Sequence, residues 1–449
     1  MIDNRLILTI SLLIILLFGF KLCGKRYSSP VVFFITPLIV QSTISFFYYP
    51  WNISDYTLFL ITTSCIIFTL SCAMVHYIFR HFVRNTLKTN KSHVLLSNFQ
   101  YILLIICNFA CIAIILKGVK NSNGASSADL ASIIGDFNNA VKTDDSQVSI
   151  GTFPSLIYTL LIGMSYAYSY ILATTIVKLP KKKWIFPIIL FGTGALGLLA
   201  TGSRTDAISP IITLILYIIM LNESQNNNLS LLSINTKYYF YIILAIISII
   251  FVFQFSTIII GRQVDQTPID YISTYLAAPL QNLDFAQPRN SANPSYFGLN
   301  TFKPLYDSLE QAGLVPTGTS RGRFAFISRD GYFTGNVYTT FYSLLLDFGT
   351  IGTLAAISFM SIVMQTIYEL SLKRLTTFFI PLLPIIYGYL NYNMTMSFFA
   401  SSFYHNLFST SFLKAIVGMS FVVIYQHVCN KYVLVPSSIR DPDTRLIYR

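Results

Sequence analysis

Charge is what this chain has least of. Asp, Glu, Lys and Arg supply 11% of its 449 residues, where a soluble domain carries about 25%. With 54% hydrophobic residues and a mean hydropathy of +0.61, a large part of its surface must face lipid. Its six cysteines (Cys23, Cys65, Cys72, Cys107, Cys111, Cys429) lie in or beside apolar stretches. None has the spacing of a disulfide framework or a zinc knuckle, so they read as small apolar side chains within helices. A Gly-rich nucleotide loop, a Walker lysine and an HExxH pair are all missing. Without them a nucleotide-sugar enzyme or an ATP-driven pump has nothing to work with. The first apolar run has neither a basic leader nor a small-residue cleavage site, which predicts a permanent span and not a removable signal.

What is present is a series of long apolar stretches. A hydrocarbon core about 30 Å thick needs about 20 apolar residues per helix. Eleven stretches qualify: 6–20, 31–48, 57–78, 99–116, 153–177, 184–200, 206–221, 238–260, 338–367, 376–390 and 411–428. The turn Thr201–Thr205 is so tight that the count carries a margin of one, ten to twelve. The expected fold is all-α, a polytopic helical membrane bundle forming one integral membrane domain over 1–449. Two connections are long. The first, 118–151, is rich in Ser, Asn, Gly and Asp, with room for a short surface helix over Asp129–Val141. The second, 261–337, is too long for a plain connector. Thr267 and Pro268 predict a helix running through Leu283 with a break at Pro279. Lys303-Pro304 and an apolar stripe at Leu305, Leu309 and Ala312 predict another from Thr301 to Gly313.

The basic segments Lys21–Arg26, Arg80–Lys91, Lys178–Lys183, Lys373-Arg374 and Lys431–Arg449, with Lys237, all fall on one side of an eleven-span bundle. Such enrichment marks the cytoplasmic side. Both long connections then face outward, and much of the net charge of +12 is a topology signal. No nucleic-acid partner is implied.

The remaining charges are the costly ones. Arg204 opens the seventh span in Thr201-Gly202-Ser203-Arg204-Thr205-Asp206, where Ser203 and Asp206 resemble a capping box. Helix amides and a guanidinium pointing the same way make an anion site; the rival readings are snorkelling at the interface and pairing with Asp206. Arg262, after Gly261, sits at the same membrane level, either as an anchor or as the second prong of a diphosphate clamp. Arg321 and Arg323 form a denser cluster in the outer connection, part of it solvated surface. Asp347 lies about nine residues into its span, about 14 Å from the start. A carboxylate there marks a functional site or a structural ion pair with an arginine or Lys414. His405 is the histidine on the outer side, able to accept a proton from a sugar hydroxyl or to serve only packing.

The Gly-Ser-Arg-Thr turn, the arginine-bearing outer connection and the run Gly335-Asn336-Val337-Tyr338-Thr339-Thr340-Phe341 leading to Asp347-Phe348-Gly349 resemble the O-antigen polymerase (Wzy) family. The resemblance implies a membrane-embedded glycosyltransferase of the GT-C-like type with a large periplasmic loop, in the bacterial inner membrane. It implies a donor carried on undecaprenyl diphosphate, with the growing chain transferred to a newly delivered lipid-linked unit. It implies no cofactor and no metal, contact with membrane lipids, and a chain-length regulator and a flippase as candidate partners. The family's two loop arginines map onto Arg204 and Arg262, with Arg321 and Arg323 a looser assignment. Asn336, Tyr338 and Tyr404 join them as expected substrate contacts, and Asp347 or His405 as the base. The family is often drawn with an even number of spans and both ends inside, from which the odd count departs. A ligase passing the same chain to lipid A-core is the nearest alternative, since His405 suits it, and a polysaccharide flippase is a more distant one.

Overall fold

The computed structural model describes residues 3–82, 96–122, 129–143, 149–225, 268–286, 296–319, 324–374 and 382–432. In chain order these form α1 (Asn4–Leu22), α2 (Pro30–Tyr48), α3 (Asp55–Phe82), α4 (Asn98–Ser122), α5 (Leu130–Thr143), α6 (Thr152–Lys178) and α7 (Ile185–Gly197). A 3-10 turn over Leu198–Thr201 leads into α8 (Arg204–Gln225). Next come α9 (Pro268–Phe285), α10 (Lys303–Gln311), a hairpin of β1 (Ile327–Arg329) and β2 (Tyr332–Gly335), α11 (Thr340–Arg374), α12 (Leu382–Thr395), α13 (Ser402–Leu407) and α14 (Thr410–Tyr432). Among the described residues eight helices are long and apolar enough to cross a membrane, with Ile185–Thr201 a shorter apolar one. The protein is thus an all-α, multi-pass membrane chain. The span expected at 238–260 lies outside the described residues.

The two ends of the bundle differ in chemistry. At one end Glu223, near the close of α8, accepts hydrogen bonds from the backbone N–H of Tyr27 and Ser28 and from the Ser28 hydroxyl. Tyr387 donates to the Ser28 carbonyl at 2.8 Å, and His76 Nδ1 lies 2.6 Å from Glu369 Oε1. The basic turn after α1, the basic close of α3 and the end of α11 therefore gather here. At the other end Arg5 donates to the carbonyls of Ser45 (2.8 Å) and Tyr49 (2.6 Å), closing α2. Asp284, at the close of α9, accepts from Ser54 N (2.9 Å), Ser54 Oγ (2.6 Å) and Thr57 Oγ1 (2.7 Å), capping the start of α3. The described parts of the two long connections meet the bundle at this second end, away from the basic segments.

In the middle of the bundle some polar side chains are paired internally, as hydrocarbon surroundings favour. Tyr168 donates to Asn108 Oδ1 (3.0 Å) and Tyr217 to the Ile385 carbonyl (3.0 Å). Helix α6 is the hub, touching α14, α8 and α7. Two glycines let α6 and α14 meet backbone to backbone: a Cβ at Gly163 would strike the Ala415 carbonyl, and one at Gly418 the Leu160 carbonyl. Small residues at such crossings are how helices pack closely in lipid.

One local expectation is corrected. Helix α9 runs unbroken through Pro279 to Phe285. Its buried Ala277 and Ala278 pack against the α2 end, and Gln281 Nε2 donates to Ser45 Oγ at 2.8 Å. Tertiary packing outweighs the single backbone hydrogen bond that a proline removes. The helix containing Asp347 is not straight: Gly349, at φ 64° and ψ −170°, interrupts α11 two residues later.

Candidate functional site

The site is a cavity of about 1420 Å³ at the end opposite the basic one. Its walls come from α5, α6, the Thr201–Thr205 turn, α9, α10, Asn336-Val337, the close of α12 and the start of α14.

The turn before α8 is fixed from three directions. Gly202 takes φ 74°, a left-handed value that glycine permits without strain. A Cβ there would lie 2.7 Å from Asn138 Nδ2, which donates to the Gly202 carbonyl at 2.8 Å. From α6, the Tyr158 hydroxyl donates to Asp206 Oδ2 at 2.7 Å. From α12, the Tyr392 hydroxyl donates to the Thr205 carbonyl, also at 2.7 Å. Arg204 is thereby held at the first position of α8 with 8% of its surface exposed, and it lines the cavity. This much burial argues against a snorkelling anchor, whose head would sit in water.

The start of α14 forms another wall. Ser409 caps it, with Oγ accepting from Phe412 N at 3.1 Å, and Ser409, Thr410, Ser411 and Lys414 all line the cavity. Lys414 was visible in sequence as a cation inside an apolar span but was not placed at the site. Next to it, α10, which touches α14, presents Pro304, Asp307, Ser308 and Gln311, spaced so that they share one helix face. Apolar side chains from Leu156, Ile208 and Ile212 line another part of the wall. One cavity therefore offers two cations, a carboxylate and neutral hydrogen-bonding groups beside a greasy surface.

The other expected residues divide. Asn336 lines the cavity with Arg204. Asp347 does not: its Oδ1 accepts from Asn300 N (3.2 Å) and Nδ2 (2.8 Å), and its Oδ2 from Thr301 N (2.6 Å). His405 Nε2 lies 2.9 Å from the carbonyl oxygen of the same Asn300. The two groups grip one peptide from opposite sides, at the approach to α10. Burial lowers the His405 pKa, with Lys303 pushing the same way and the Asn300 carbonyl, Asp307 and Asp347 opposing. The neutral ring then donates its Nε2 hydrogen to that carbonyl. Tyr338 is buried, stacked on Tyr342 with centroids 4.4 Å apart, and donates to the Ala325 carbonyl at 2.8 Å. Burial pushes its phenol up to about 12. Tyr404, 2% exposed, donates to the Ala356 carbonyl at 2.5 Å. Both tyrosines are packing groups beneath the outer connection. Arg262, Arg321 and Arg323 lie outside the described residues.

Among the described residues no group of three or more His, Cys, Asp or Glu side chains gathers to hold a metal ion. Comparison with protein-family models, with curated proteins and with solved structures finds no match.

Proposed function

We propose that the cavity binds a lipid-linked saccharide diphosphate and that the protein is a polysaccharide polymerase of the O-antigen polymerase type. It would extend undecaprenyl-diphosphate-linked repeat units at the periplasmic face of the bacterial inner membrane. The observation that carries this reading is the presence of both Arg204 and Lys414, near the starts of two spanning helices, in the lining of one cavity of about 1420 Å³. A single small ligand fills about 300–1,000 Å³, so there is room for a diphosphate and several sugar rings. The apolar wall at Leu156, Ile208 and Ile212 suits the start of a polyprenyl chain.

Arg204 and Lys414 would take the charge that grows on the diphosphate as the glycosidic bond breaks, in surroundings where such charges act strongly. Arg262, Arg321 and Arg323 are the further cations that the family resemblance adds. Asn336 offers an amide to sugar hydroxyls. The ligase alternative drew on His405, whose imidazole is bound to Asn300 and does not line the cavity. What favours the polymerase over the ligase is the run Asn336-Val337-Tyr338-Thr339 leading to Asp347-Phe348-Gly349. The test is purified protein in lipid nanodiscs with lipid-linked repeat units. A ladder of lengthened lipid-linked products is expected, and it should vanish with Arg204→Ala at unchanged protein yield. A wild-type protein that yields no lengthened product ends the proposal.

A further inference from the structure

We infer that the α10 wall is the acceptor-sugar subsite of this cavity, and that Asp307 takes the proton from the attacking hydroxyl. The inference rests on the glycosyl-transfer reading and deepens it by dividing the cavity into a diphosphate side and a saccharide side.

The first support is chemical segregation. Arg204 and Lys414 come from α8 and α14, whereas α10 contributes no cation to the lining. What α10 offers is a carboxylate, a hydroxyl and a carboxamide at Asp307, Ser308 and Gln311. Carboxylate and amide oxygens accept from sugar hydroxyls, and a carboxamide N–H₂ donates to them. A carboxylate is poorly placed to hold a diphosphate and well suited to an alcohol. Asp307 is the acidic side chain in the cavity lining, since Asp206 is engaged by Tyr158 and Asp347 by Asn300 and Thr301.

The second support is the effort spent in fixing α10. This helix has nine residues, too few to be stable alone in water. Its approach is clamped by Asp347 and His405 on the Asn300 peptide. Phe302, at its N-cap, packs edge-on against Tyr404 and Phe408, with centroids 6.2 and 4.9 Å apart. At its far end Glu310 accepts from the Gly318 N–H. Tyr306 donates to the Phe297 carbonyl at 2.7 Å. A general base must stand within about 3 Å of the proton it removes, and such anchoring is what holds a loop helix to that tolerance. Asp347 and His405 then act as positioning residues for Asp307.

In the step itself the acceptor oxygen forms a bond to the anomeric carbon while its proton passes to the Asp307 carboxylate. The bond between that carbon and the diphosphate oxygen breaks, and its electron pair leaves with the diphosphate. Asp307 afterwards releases the proton to water.

The experiment uses the full chain in nanodiscs, a lipid-linked repeat unit as donor and a second repeat unit as acceptor, with binding of a C55 polyprenyl diphosphate measured separately. Asp307→Asn is expected to lower kcat by about 100-fold or more while polyprenyl diphosphate binding stays within twofold of wild type. Ser308→Ala and Gln311→Ala are expected to raise the acceptor KM several-fold with kcat retained. If Asp307→Asn keeps kcat within threefold while Arg204→Ala abolishes transfer, the base assignment is overturned and the polymerase reading stands. Should Asp307→Asn misfold, the two neighbouring variants decide alone: unchanged acceptor KM in both overturns the subsite. If the wild-type protein transfers nothing, both proposals fall together.

Discussion

Replacing Asp347 by asparagine tests whether this carboxylate anchors the outer connection. The native side chain accepts three N–H bonds, at 3.2, 2.8 and 2.6 Å. Hydrogen bonds to a charged acceptor contribute about 1.5–3 kcal/mol each. Asparagine preserves the shape and one acceptor oxygen but turns an N–H₂ toward an N–H donor. A net loss of about 2–3 kcal/mol at that contact follows. Every 1.4 kcal/mol is about tenfold in an equilibrium, so local opening of the approach to α10 should become roughly 30- to 150-fold more frequent. Hydrogen exchange with mass spectrometry reads this directly: peptides covering 296–311 should lose protection, while those from α6 and α14 should not. The lengthening assay should also slow, because α10 would no longer be held against the cavity. Unchanged exchange over 296–311 would refute the anchoring argument. A loss of protection spread evenly over the bundle would show instead that Asp347 supports the whole fold.

Three further outcomes follow from the same geometry. Arg204→Lys should restore only part of the polymer lost in Arg204→Ala, because an ammonium lacks the two-pronged fork of a guanidinium; product ladders on a gel measure this, and full activity would count against a clamp. Gly349→Ala should cost about 1–3 kcal/mol, since φ 64° with ψ −170° is tolerated almost only by glycine; thermal unfolding in detergent checks it. The lowered His405 pKa means that the folded state disfavours the protonated ring. Its stabilising effect is present above the unfolded value of about 6.5 and is lost as pH falls through the lower folded value, so 296–311 should exchange faster in mild acid, and His405→Gln should flatten that dependence.

Much of the fold could be read from hydropathy alone. Spans such as 57–78 and 153–177 reappear as α3 and α6 because apolar length in lipid has few solutions. The short helices over Asp129–Val141 and Thr301–Gly313 were also legible, appearing as Leu130–Thr143 and Lys303–Gln311. Pro279 misled because a local rule took no account of α2 packing against it. The site was less legible. Arg204 stood out because glycine and a cap precede it at a membrane boundary. Asp347 stood out for its cost, but the sequence cannot say which partner meets that cost, and the partner is a backbone turn 46 and 47 residues away. Asp307 drew no notice among other outer carboxylates, although its spacing with Pro304, Ser308 and Gln311 already marked a common helix face. Lys414 looked like a possible counter-ion for Asp347 because nothing linear links it to Arg204.

The triple grip on the turn at Gly202–Asp206 has a consequence for genetics. Tyr392 stands far along the gene from Asn138 and Tyr158, yet all three hold the same short turn. A random screen for inactive alleles should therefore return changes at all three codons with the phenotype of losing Arg204 itself. Suppressors of any one of them should map to the other two neighbourhoods, tracing in heredity a contact that no stretch of the reading frame reveals.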